Sequence, residues 1–493
     1  MDKFVIEGGR TLRGKVRVCG SKNAVLPVLA ASLLSDEPLV IPNAPRLSDV
    51  ESMLDVLRDL GSTATRRSDG AVLVQSADTP ADCASWDHVR KMRGSISVLG
   101  PLLARHGRAV VSQPGGCVIG VRPIDLHLKG LRALGAKIET EHGYVVAEAP
   151  KGGLRGDEMY LGGPQGSTVL GTANVMMAAT LARGRTVIHG AACEPEVVDL
   201  GDCLNKMGAK ISGLGSPRIV IDGVERLGGA THSVIPDRIE AGTYLIAGAM
   251  TGGAVRVENC RPDHLTVLLE RLGEARVPFQ QGPDWIASVP YDVRDRARAP
   301  QPTDVTTLPY PAFPTDLQAQ WMALMTLANG MSVITETIYS DRYMHVAEMM
   351  RLGATIRRQG ASAIVLGPAP LSGAPVMASD LRASAALVLA GLVAKGTTEV
   401  HRVYHIDRGY ERIEERLRAL GAEIKRVDDR EPAGTDEPPT AKTVVPAAKA
   451  AMGPGAKAAM GSGAKAAVTP VAKAAVAPTP KAAAKPARAK ARQ

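Results

Sequence analysis

One pattern of apolar and polar positions recurs along the chain: a helical stretch ends in Leu or Met, two further residues, Leu or Met again, and then glycine. A segment rich in Ala or Leu lies upstream of each copy. The glycine provides the left-handed conformation that ends a helix, and the strand after it alternates between outward and inward positions. The pattern predicts six units, each a helix, a strand, a helix, a glycine stop and a strand, with stops at Gly61, Gly135, Gly208, Gly273, Gly353 and Gly421.

The repetition decides how this ending is interpreted. A single copy would be an ordinary helix terminus, but six copies at intervals of 65 to 80 residues indicate a repeated architecture. One such unit cannot close a hydrophobic core alone. We therefore predict an α/β fold of two three-unit domains, divided near residue 230, where Leu227-Gly228-Gly229 interrupts the pattern. A cleft between the halves is the natural ligand site.

The composition indicates a large hydrophobic core, and the net positive charge is confined to the C-terminal tail. The 493 residues are 45% hydrophobic, and the formal net charge is +9. Eight Lys, two Arg and no acid follow Glu437, so the rest of the chain is electrically balanced and a basic-protein interpretation applies only to the tail. Six scattered cysteines without a Cys-x-x-Cys pair support neither a disulfide framework nor a zinc site.

The sequence contains neither a recognisable signal peptide nor an apolar run long enough for a transmembrane helix. The N-terminus lacks an apolar signal core, and the longest apolar run, Ala383 to Ala394, is too short to span a bilayer, so we expect a soluble, cytoplasmic protein. The tail, residues 431–493, begins rich in Pro, Gly and acids and then repeats Ala-Lys-Ala-Ala. We expect it to be disordered, either as a solubilising extension or with weak, non-specific contact to nucleic acid or another polyanion.

Four segments combine glycine or proline with unusual polar groups: Gly20-Ser21-Lys22-Asn23, Arg93 before a helix, Pro114 to Pro123, and Phe313-Pro314-Thr315-Asp316. None is a Walker loop or a dinucleotide fingerprint. Cys117, on a loop with three glycines and Arg122 nearby, meets the conditions under which a thiol gains thiolate character, although an isolated cysteine is usually inert. Taken singly, an arginine is more often a solvated surface charge, and Asp316 could be a helix N-cap.

Longer motifs identify a family. The runs PGGCVIGVRPIDLH (114–127), SKNA (21–24), FPTDLQAQ (313–320), DLRAS (380–384) and HIDRGY (405–410) together resemble the UDP-N-acetylglucosamine enolpyruvyl transferases, or 1-carboxyvinyltransferases. The resemblance extends from residue 1 to about 427. It implies two inside-out α/β domains of three units each, similar to EPSP synthase, here 1–21 with 231–430 and 22–230.

The resemblance also implies a reaction. The enolpyruvyl group of phosphoenolpyruvate is transferred to the 3-hydroxyl of UDP-N-acetylglucosamine, by addition to a tetrahedral ketal and then loss of phosphate, at the start of peptidoglycan precursor synthesis. No cofactor or metal is implied. The carboxylate and phosphate of phosphoenolpyruvate need fixed cations. Lys22, Arg342 and Arg382 are expected mainly at the carboxylate, and Arg122 and Arg408 at the phosphate.

Catalysis of the addition requires proton transfers. Cys117 matches the family's loop cysteine, which is the acid at the vinyl carbon, forms a phospholactoyl adduct and is alkylated by fosfomycin, whereas Asp316 matches the base at the sugar. The implied catalytic residues are Cys117, Asp316, Lys22 and Arg408. The implied substrate-binding residues are Lys22, Asn23, Arg93, Arg122, Pro123, Ile124, Asp125, Leu126, His127, Thr168, Val169, Leu170, Asp316, Ile338, Arg342, Arg382 and Arg408.

Further positions match the family less uniformly. Glu196, Asp237 and Arg238 match residues that line the cleft, and Ile338 with Tyr339 matches a mobile hydrophobic pair; for His127 a satisfied helix histidine is the alternative. The backbone amides of Thr168 to Leu170 are expected at the diphosphate. Here the chain departs from many relatives, which place the glycine before position 171, an acid at 173 and an arginine at 193.

Two other functions compete. The shikimate-pathway enolpyruvyl transferases share the architecture and the phosphoenolpyruvate chemistry, but they lack the Gly-Gly-Cys loop that is present here at 115–117. A nucleic-acid-binding protein is suggested by the tail alone. The neutral body argues against that second function.

Overall fold

Short strands and helices alternate along the chain in the computed structural model, which describes residues 2–79, 81–113, 123–293 and 295–428. The strands are β1 (Asp2–Glu7), β2 (Arg13–Arg17), β3 (Leu39–Ile41), β4 (Thr63–Arg66), β5 (Val72–Gln75), β6 (Cys83–Ala84), β7 (Arg108–Ser112), β8 (Lys137–Glu141), β9 (Tyr144–Glu148), β10 (Glu158–Tyr160), β11 (Arg185–His189), β12 (Lys210–Ser212), β13 (Arg218–Asp222), β14 (Ala230–Thr231), β15 (Ala254–Glu258), β16 (Phe279–Gln281), β17 (Trp285–Ser288), β18 (Val305–Thr307), β19 (Gly330–Glu336), β20 (Thr355–Gln359), β21 (Ser362–Gly367), β22 (Pro375–Met377), β23 (Thr397–His401) and β24 (Glu423–Asp428).

The helices are α1 (Lys22–Ala31), α2 (Ser48–Asp59), α3 (Trp86–Val89), α4 (Leu99–His106), α5 (Asp125–Ala133), α6 (Val169–Ala179), α7 (Pro195–Lys206), α8 (Arg238–Met250), α9 (Thr266–Glu274), α10 (Gln318–Met325), α11 (Met344–Arg351), α12 (Leu381–Val393) and α13 (Ile413–Ala419). Short 3₁₀ helices cover Ser32–Leu34, Arg93–Val98, Pro262–Leu265, Thr315–Leu317 and Val403–Arg408.

The predicted six units are confirmed as six four-stranded sheets within the described residues. In each sheet two strands are parallel and the other two are antiparallel to their neighbours, as in the order β18-β19-β21-β20. Three sheets take a strand from elsewhere in the sequence. β14 lies parallel to β3, β2 lies parallel to β15, and β1 lies between β23 and β24. The N-terminal strands therefore complete sheets formed by residues 254–428.

Two kinds of helix fill each unit. The Ala- or Leu-rich segments form helices that are buried on nearly every side, and α8, α10 and α12 pack against one another. The helices that end at the stops, such as α2 and α11, bury only one face. Because helices occupy the middle and sheets the outside, each half has the inside-out arrangement expected from the resemblance.

Five of the six predicted glycine stops are confirmed, with φ between 88° and 104°. Gly273 is the exception and corrects the prediction: it lies inside α9, which continues to Glu274. Arg276 adopts the left-handed conformation instead, with φ of 55°, and its N–H donates to the Gly273 carbonyl at 3.0 Å while Val277 N–H donates to the Leu272 carbonyl at 2.9 Å. Good helix formers after Gly273 extend the helix, and an arginine takes the terminus at a cost of about 1 kcal/mol.

Buried apolar side chains form two clusters, one from residues 24–234 and the other from residues 4–18 with 239–424. Both clusters belong to one compact unit, residues 1–432, and the exact domain bounds stay a prediction. The tail lies outside the described residues, so its disorder stays a prediction. No helix in the described part is long and apolar enough to cross a membrane.

Candidate active site

The buried helices begin close to one another between the two apolar clusters. Lys22 opens α1, and its backbone N–H donates to Asp237 Oδ2 at 3.1 Å. Asp237 caps α8 through its other oxygen, and Asp380 caps α12 in the same way. The first N–H groups of a helix lack partners within the helix and carry partial positive charge. At the starts of α8 and α12 the carboxylates of Asp237 and Asp380 supply the matching negative charge.

Asp316 lies at the centre of a first charged cluster. Arg342 Nη1 donates to its Oδ1 at 2.8 Å, Arg382 Nε to its Oδ2 at 3.2 Å, and Asn23 Nδ2 contacts Oδ2 at 3.4 Å. Burial would raise the pKa of Asp316, but the guanidinium groups of Arg382 and Arg342 outweigh burial and hold the pKa well below its usual range. No side chain caps α10, so the helix-cap alternative for Asp316 is wrong.

Arg382 suits an anionic ligand. Its side chain is fully buried, and its guanidinium carbon lies 5.2 Å from the centre of the Tyr410 ring. Nη1 and Nη2 are buried and make no hydrogen bond of ordinary geometry among the described residues. Burial would lower the pKa of the guanidinium, but Tyr410 and Asp316 outweigh burial and raise this pKa. Buried cationic donors are costly when unpaired, and a carboxylate or phosphate oxygen is the partner that guanidinium prefers.

Asp49 forms a second charged cluster that sequence reasoning missed. Its carboxylate accepts Lys22 Nζ at 2.8 Å and Arg408 Nε at 2.8 Å, and its side chain is only 3% exposed. Lys22 and Arg408 come from the two different halves, so Asp49 joins the halves. Burial opposes ionisation, but the two cations lower the pKa of Asp49. One signal was available: Asp49 lies on the apolar stripe of α2, with Met53 and Val56.

The Asp49 cluster predicts a stability effect. We expect Asp49→Asn to lower the free energy of unfolding at pH 7 by about 3 kcal/mol, because it removes the buried negative charge that pairs with Lys22 and Arg408. A folded pKa below the unfolded value stabilises the protein above the unfolded pKa, and this contribution is lost as the pH falls through the folded pKa. The difference from the parent should therefore shrink below about pH 4.

Denaturant unfolding at several pH values measures this effect. Asp55→Asn is the matched control, since Asp55 lies on the same helix in an exposed pair with Arg58 and should change stability by less than about 1 kcal/mol. A loss for Asp49→Asn that stays constant from pH 7 to pH 3, or that equals the control, would contradict the counter-ion role.

A third group of predicted residues lies at the start of α5. Arg93 Nη2 donates to the Pro123 carbonyl at 3.3 Å. Ile124 directly precedes α5, and Asp125 and Leu126 are its first two residues. His127 is buried, accepts Asn174 Nδ2 at 3.1 Å, and has its pKa lowered to about 3 by burial and by nearby Arg93. It is therefore neutral and satisfied by a protein partner, as the alternative interpretation held. Its role toward a ligand stays a prediction.

The predicted diphosphate turn is a helix start. Thr168 caps α6 by accepting Gly171 N–H at 3.2 Å, which places the amides of Val169 and Leu170 in the first turn. Those amides have no carbonyl partner within the helix, so they suit a phosphate. Arg238 forms a buried pair with Glu196, with Nε 2.9 Å from Oε1.

Glu336 is a further residue that sequence reasoning missed. Its fully buried carboxylate accepts the hydroxyls of Thr307 and Thr315, both at 2.8 Å. It also accepts the backbone N–H groups of Ile338 and Tyr339 at 2.9 Å. Glu336 therefore ties the predicted hydrophobic pair to the residue that precedes Asp316. Only the fold reveals the contacts with Thr307 and Thr315, which lie 29 and 21 residues away in the sequence.

Two of the predicted site residues, Cys117 and Arg122, lie outside the described residues. Among the residues that are described, no group of three or more His, Cys, Asp or Glu side chains is placed to hold a metal ion.

Comparison with known proteins gives consistent matches. A family model described as EPSP synthase (3-phosphoshikimate 1-carboxyvinyltransferase) matches residues 6–417. Proteins of Coxiella burnetii strains Dugway 5J108-111 and RSA 493 / Nine Mile phase I, named UDP-N-acetylglucosamine 1-carboxyvinyltransferase, are 53% identical over 427 residues, which cover 87% of this chain and 96% of each relative.

Solved structures share the fold. The enolpyruvyl transferase NikO from Streptomyces tendae superposes with a TM-score of 0.76 at 24% identity, covering 86% of this chain and 98% of that one. An EPSP synthase from Acinetobacter baumannii superposes with a TM-score of 0.65 at 18% identity, covering 87% and 100%.

Proposed function

The chain belongs to the EPSP synthase family, and from this premise we propose that it transfers the enolpyruvyl group of phosphoenolpyruvate to the 3-hydroxyl of UDP-N-acetylglucosamine with release of phosphate. Relatives that carry this name are 53% identical over nearly their whole length. The observation that carries the proposal is the pair of buried clusters in which Asp49 and Asp316 each hold two cations. Such a reaction would serve peptidoglycan precursor synthesis.

The two clusters match the two charges of phosphoenolpyruvate. We assign Arg342 and Arg382 to its carboxylate, since the buried donors of Arg382 suit a planar anion. Lys22 pairs with Asp49. Burial raises the pKa of Asp316, but the charge of Lys22 helps the two arginines to lower it, so we assign Lys22 to the carboxylate as well. Arg408 and Arg122 then face its phosphate. In both clusters an aspartate supplies the negative charge that a bound substrate would supply. Binding therefore exchanges one counter-ion for another, which avoids leaving buried cations unpaired.

The same exchange of counter-ions explains how Asp316 becomes basic enough to accept a proton. Held between two guanidinium groups, Asp316 is a weak base because its pKa lies well below the usual range. When the substrate carboxylate engages Arg342 and Arg382, Asp316 loses its cationic partners and its pKa rises. The carboxylate then becomes able to accept the proton of the sugar hydroxyl only when both substrates are present.

The reaction follows in two steps. Cys117 gives a proton to the CH₂ carbon of phosphoenolpyruvate while the sugar 3-oxygen bonds to carbon 2 and its proton passes to Asp316. This addition yields a tetrahedral ketal that carries both the phosphate and the sugar. Phosphate then leaves with the proton held by Asp316, and one methyl proton passes to the Cys117 thiolate, which restores the vinyl group on the sugar and both side chains.

Phosphate release tests the substrate assignment. Purified protein is mixed with phosphoenolpyruvate and either UDP-N-acetylglucosamine or shikimate 3-phosphate. We expect phosphate release from the mixture that contains UDP-N-acetylglucosamine and no release from the mixture that contains shikimate 3-phosphate. Release with shikimate 3-phosphate alone would establish the competing enolpyruvyl transfer, and release with neither would overturn the proposal.

The acid is tested at Cys117. We expect Cys117→Ser to lower kcat by at least about 100-fold because a hydroxyl is a much weaker acid than a thiol, whereas Cys117→Asp retains activity through a carboxyl proton. Fosfomycin should inactivate the parent and spare the Asp variant. Cys83→Ser is the control, since Cys83 is exposed on β6 and should leave inactivation unchanged. Time-dependent inactivation of the parent and Cys117→Asp alike would refute the assignment.

The tail is proposed to make weak, non-specific contact with polyanions. A chain ending at Arg430 should retain catalysis and lose any retardation of duplex DNA, because eight Lys and two Arg are removed. Retardation by the full chain should weaken steeply with salt, since it rests on counterion release. Loss of turnover on truncation, or DNA binding that survives truncation, would contradict this role.

A further inference from the structure

A crevice of about 770 Å³ lies beside the two places where the chain crosses between the halves. One wall is Pro42 to Arg46, after β3. The other is Lys15 to Gly20 with Glu411 and Arg416. We call this space the hinge crevice. No residue of the Asp49 and Asp316 clusters lines it, so it is separate from the candidate active site. Its volume is in the range of sites for small metabolites.

The hinge crevice is rich in positive charge. Arg17 and Arg46 are exposed at its walls, and neither guanidinium has a side-chain partner in the described chain. Lys15 lies 3.3 Å from Glu258, and Arg416 lies 3.4 Å from buried Glu240, so these two cations are partly neutralised. Glu411 is the acid in the lining. Guanidinium groups with free donors bind phosphate and carboxylate groups in forked pairs.

A backbone contact joins the two walls. Arg46 N–H donates to Glu411 Oε2 at 2.8 Å, and Cys19 Sγ lies 3.4 Å from the same oxygen. We propose that the hinge crevice binds a small polyanion, with at least two phosphate or carboxylate groups, which bridges Arg46 on one wall to Arg17 on the other.

The walls are continuous with the candidate active site. Asp49 follows Arg46 by three residues, and Arg408 precedes Glu411 by three. The ion pair of Asp49 with Arg408 and the contact of Arg46 with Glu411 therefore connect the same two short segments. A polyanion that holds the walls together also holds Arg408 on Asp49. Under the proposed function, Arg408 must be available to the phosphate of phosphoenolpyruvate, so the bound polyanion raises the KM for that substrate.

Calorimetric titration with inorganic tripolyphosphate tests the site without turnover. Phosphoenolpyruvate is kept in excess, so that the active site is occupied by its own anion, and the affinity for tripolyphosphate is then lowered by the same coupling factor that raises the KM. We expect saturable 1:1 binding to the parent and at least tenfold weaker binding to Arg17→Gln/Arg46→Gln. Arg226→Gln/Arg298→Gln removes the same charge from exposed positions elsewhere and should bind like the parent. Absence of binding to the parent, or equal losses in both double variants, would overturn the site.

Steady-state kinetics tests the coupling and rests on the proposed function. Tripolyphosphate should raise the KM for phosphoenolpyruvate at least threefold in the parent, with kcat unchanged, and much less in Arg17→Gln/Arg46→Gln. An equal rise in both proteins would place the inhibition at the active site and refute coupling. Because all four substituted arginines are exposed, unchanged unfolding midpoints should accompany either result.

Discussion

Asp316→Asn is expected to lower kcat by about 100- to 10,000-fold, the range for loss of a general base. The amide keeps the size of the side chain but neither accepts the hydroxyl proton nor balances Arg342 and Arg382. Binding of UDP-N-acetylglucosamine should persist, because the proposed diphosphate contacts at the start of α6 do not involve Asp316. Rapid-quench kinetics measures the first effect and calorimetry the second.

Asp202→Asn is the control for charge loss, since Asp202 is exposed on α7. Near-parental turnover by Asp316→Asn would require another base. Loss of sugar-nucleotide binding together with turnover would instead indicate that Asp316 organises the site as a whole.

Arg382→Gln is expected to raise the KM for phosphoenolpyruvate by about 30-fold or more, corresponding to about 2 kcal/mol or more for loss of a buried charged partner. The unfolding midpoint should change little, because Asp316 keeps its pair with Arg342 when Arg382 is lost, and the two poorly satisfied buried nitrogens of Arg382 are removed at the same time. Arg382→Lys keeps the charge but not the fork and should recover only part of the affinity.

Arg351→Gln, on the exposed end of α11, is the matched control and should leave the KM unchanged. An unchanged KM for Arg382→Gln would show that the buried guanidinium serves packing. A large fall in the unfolding midpoint of Arg382→Gln would also indicate a packing role.

The sequence predicted the repeated plan of the fold because its signal is local. Buried helices, helix stops and strand alternation are each written within about a dozen residues, which is the range over which periodicity is informative. The prediction of a helix stop at Gly273 was wrong because the residues after it also favour helix. β6 and β14 were not predicted because each has only two residues, which is too few to show periodicity. Their positions depend on pairing with strands far along the chain.

The candidate site divides in the same way. Asp316 and Arg382 stand in motifs that match a family, and the structure pairs them. Lys22 stands in another such motif, but its partner is Asp49. Asp49 and Glu336 stand in no such motif. An acid in the first turn of α2 is typical of any helix start. Its place on the apolar stripe indicates burial, but the role of Asp49 follows from the tertiary contact with Arg408.

The proposed function requires that this site add a sugar hydroxyl to phosphoenolpyruvate and then eliminate phosphate. Mass spectrometry of the sugar nucleotide, after reaction with phosphoenolpyruvate and UDP-N-acetylglucosamine in D₂O, detects both steps. Addition places a solvent-derived deuteron on the vinyl carbon, and elimination then removes one of three hydrogens from the resulting methyl group. We expect a sugar nucleotide that carries one enolpyruvyl group with deuterium in its methylene. An enolpyruvyl product free of deuterium, or no such product, would contradict the proposed function.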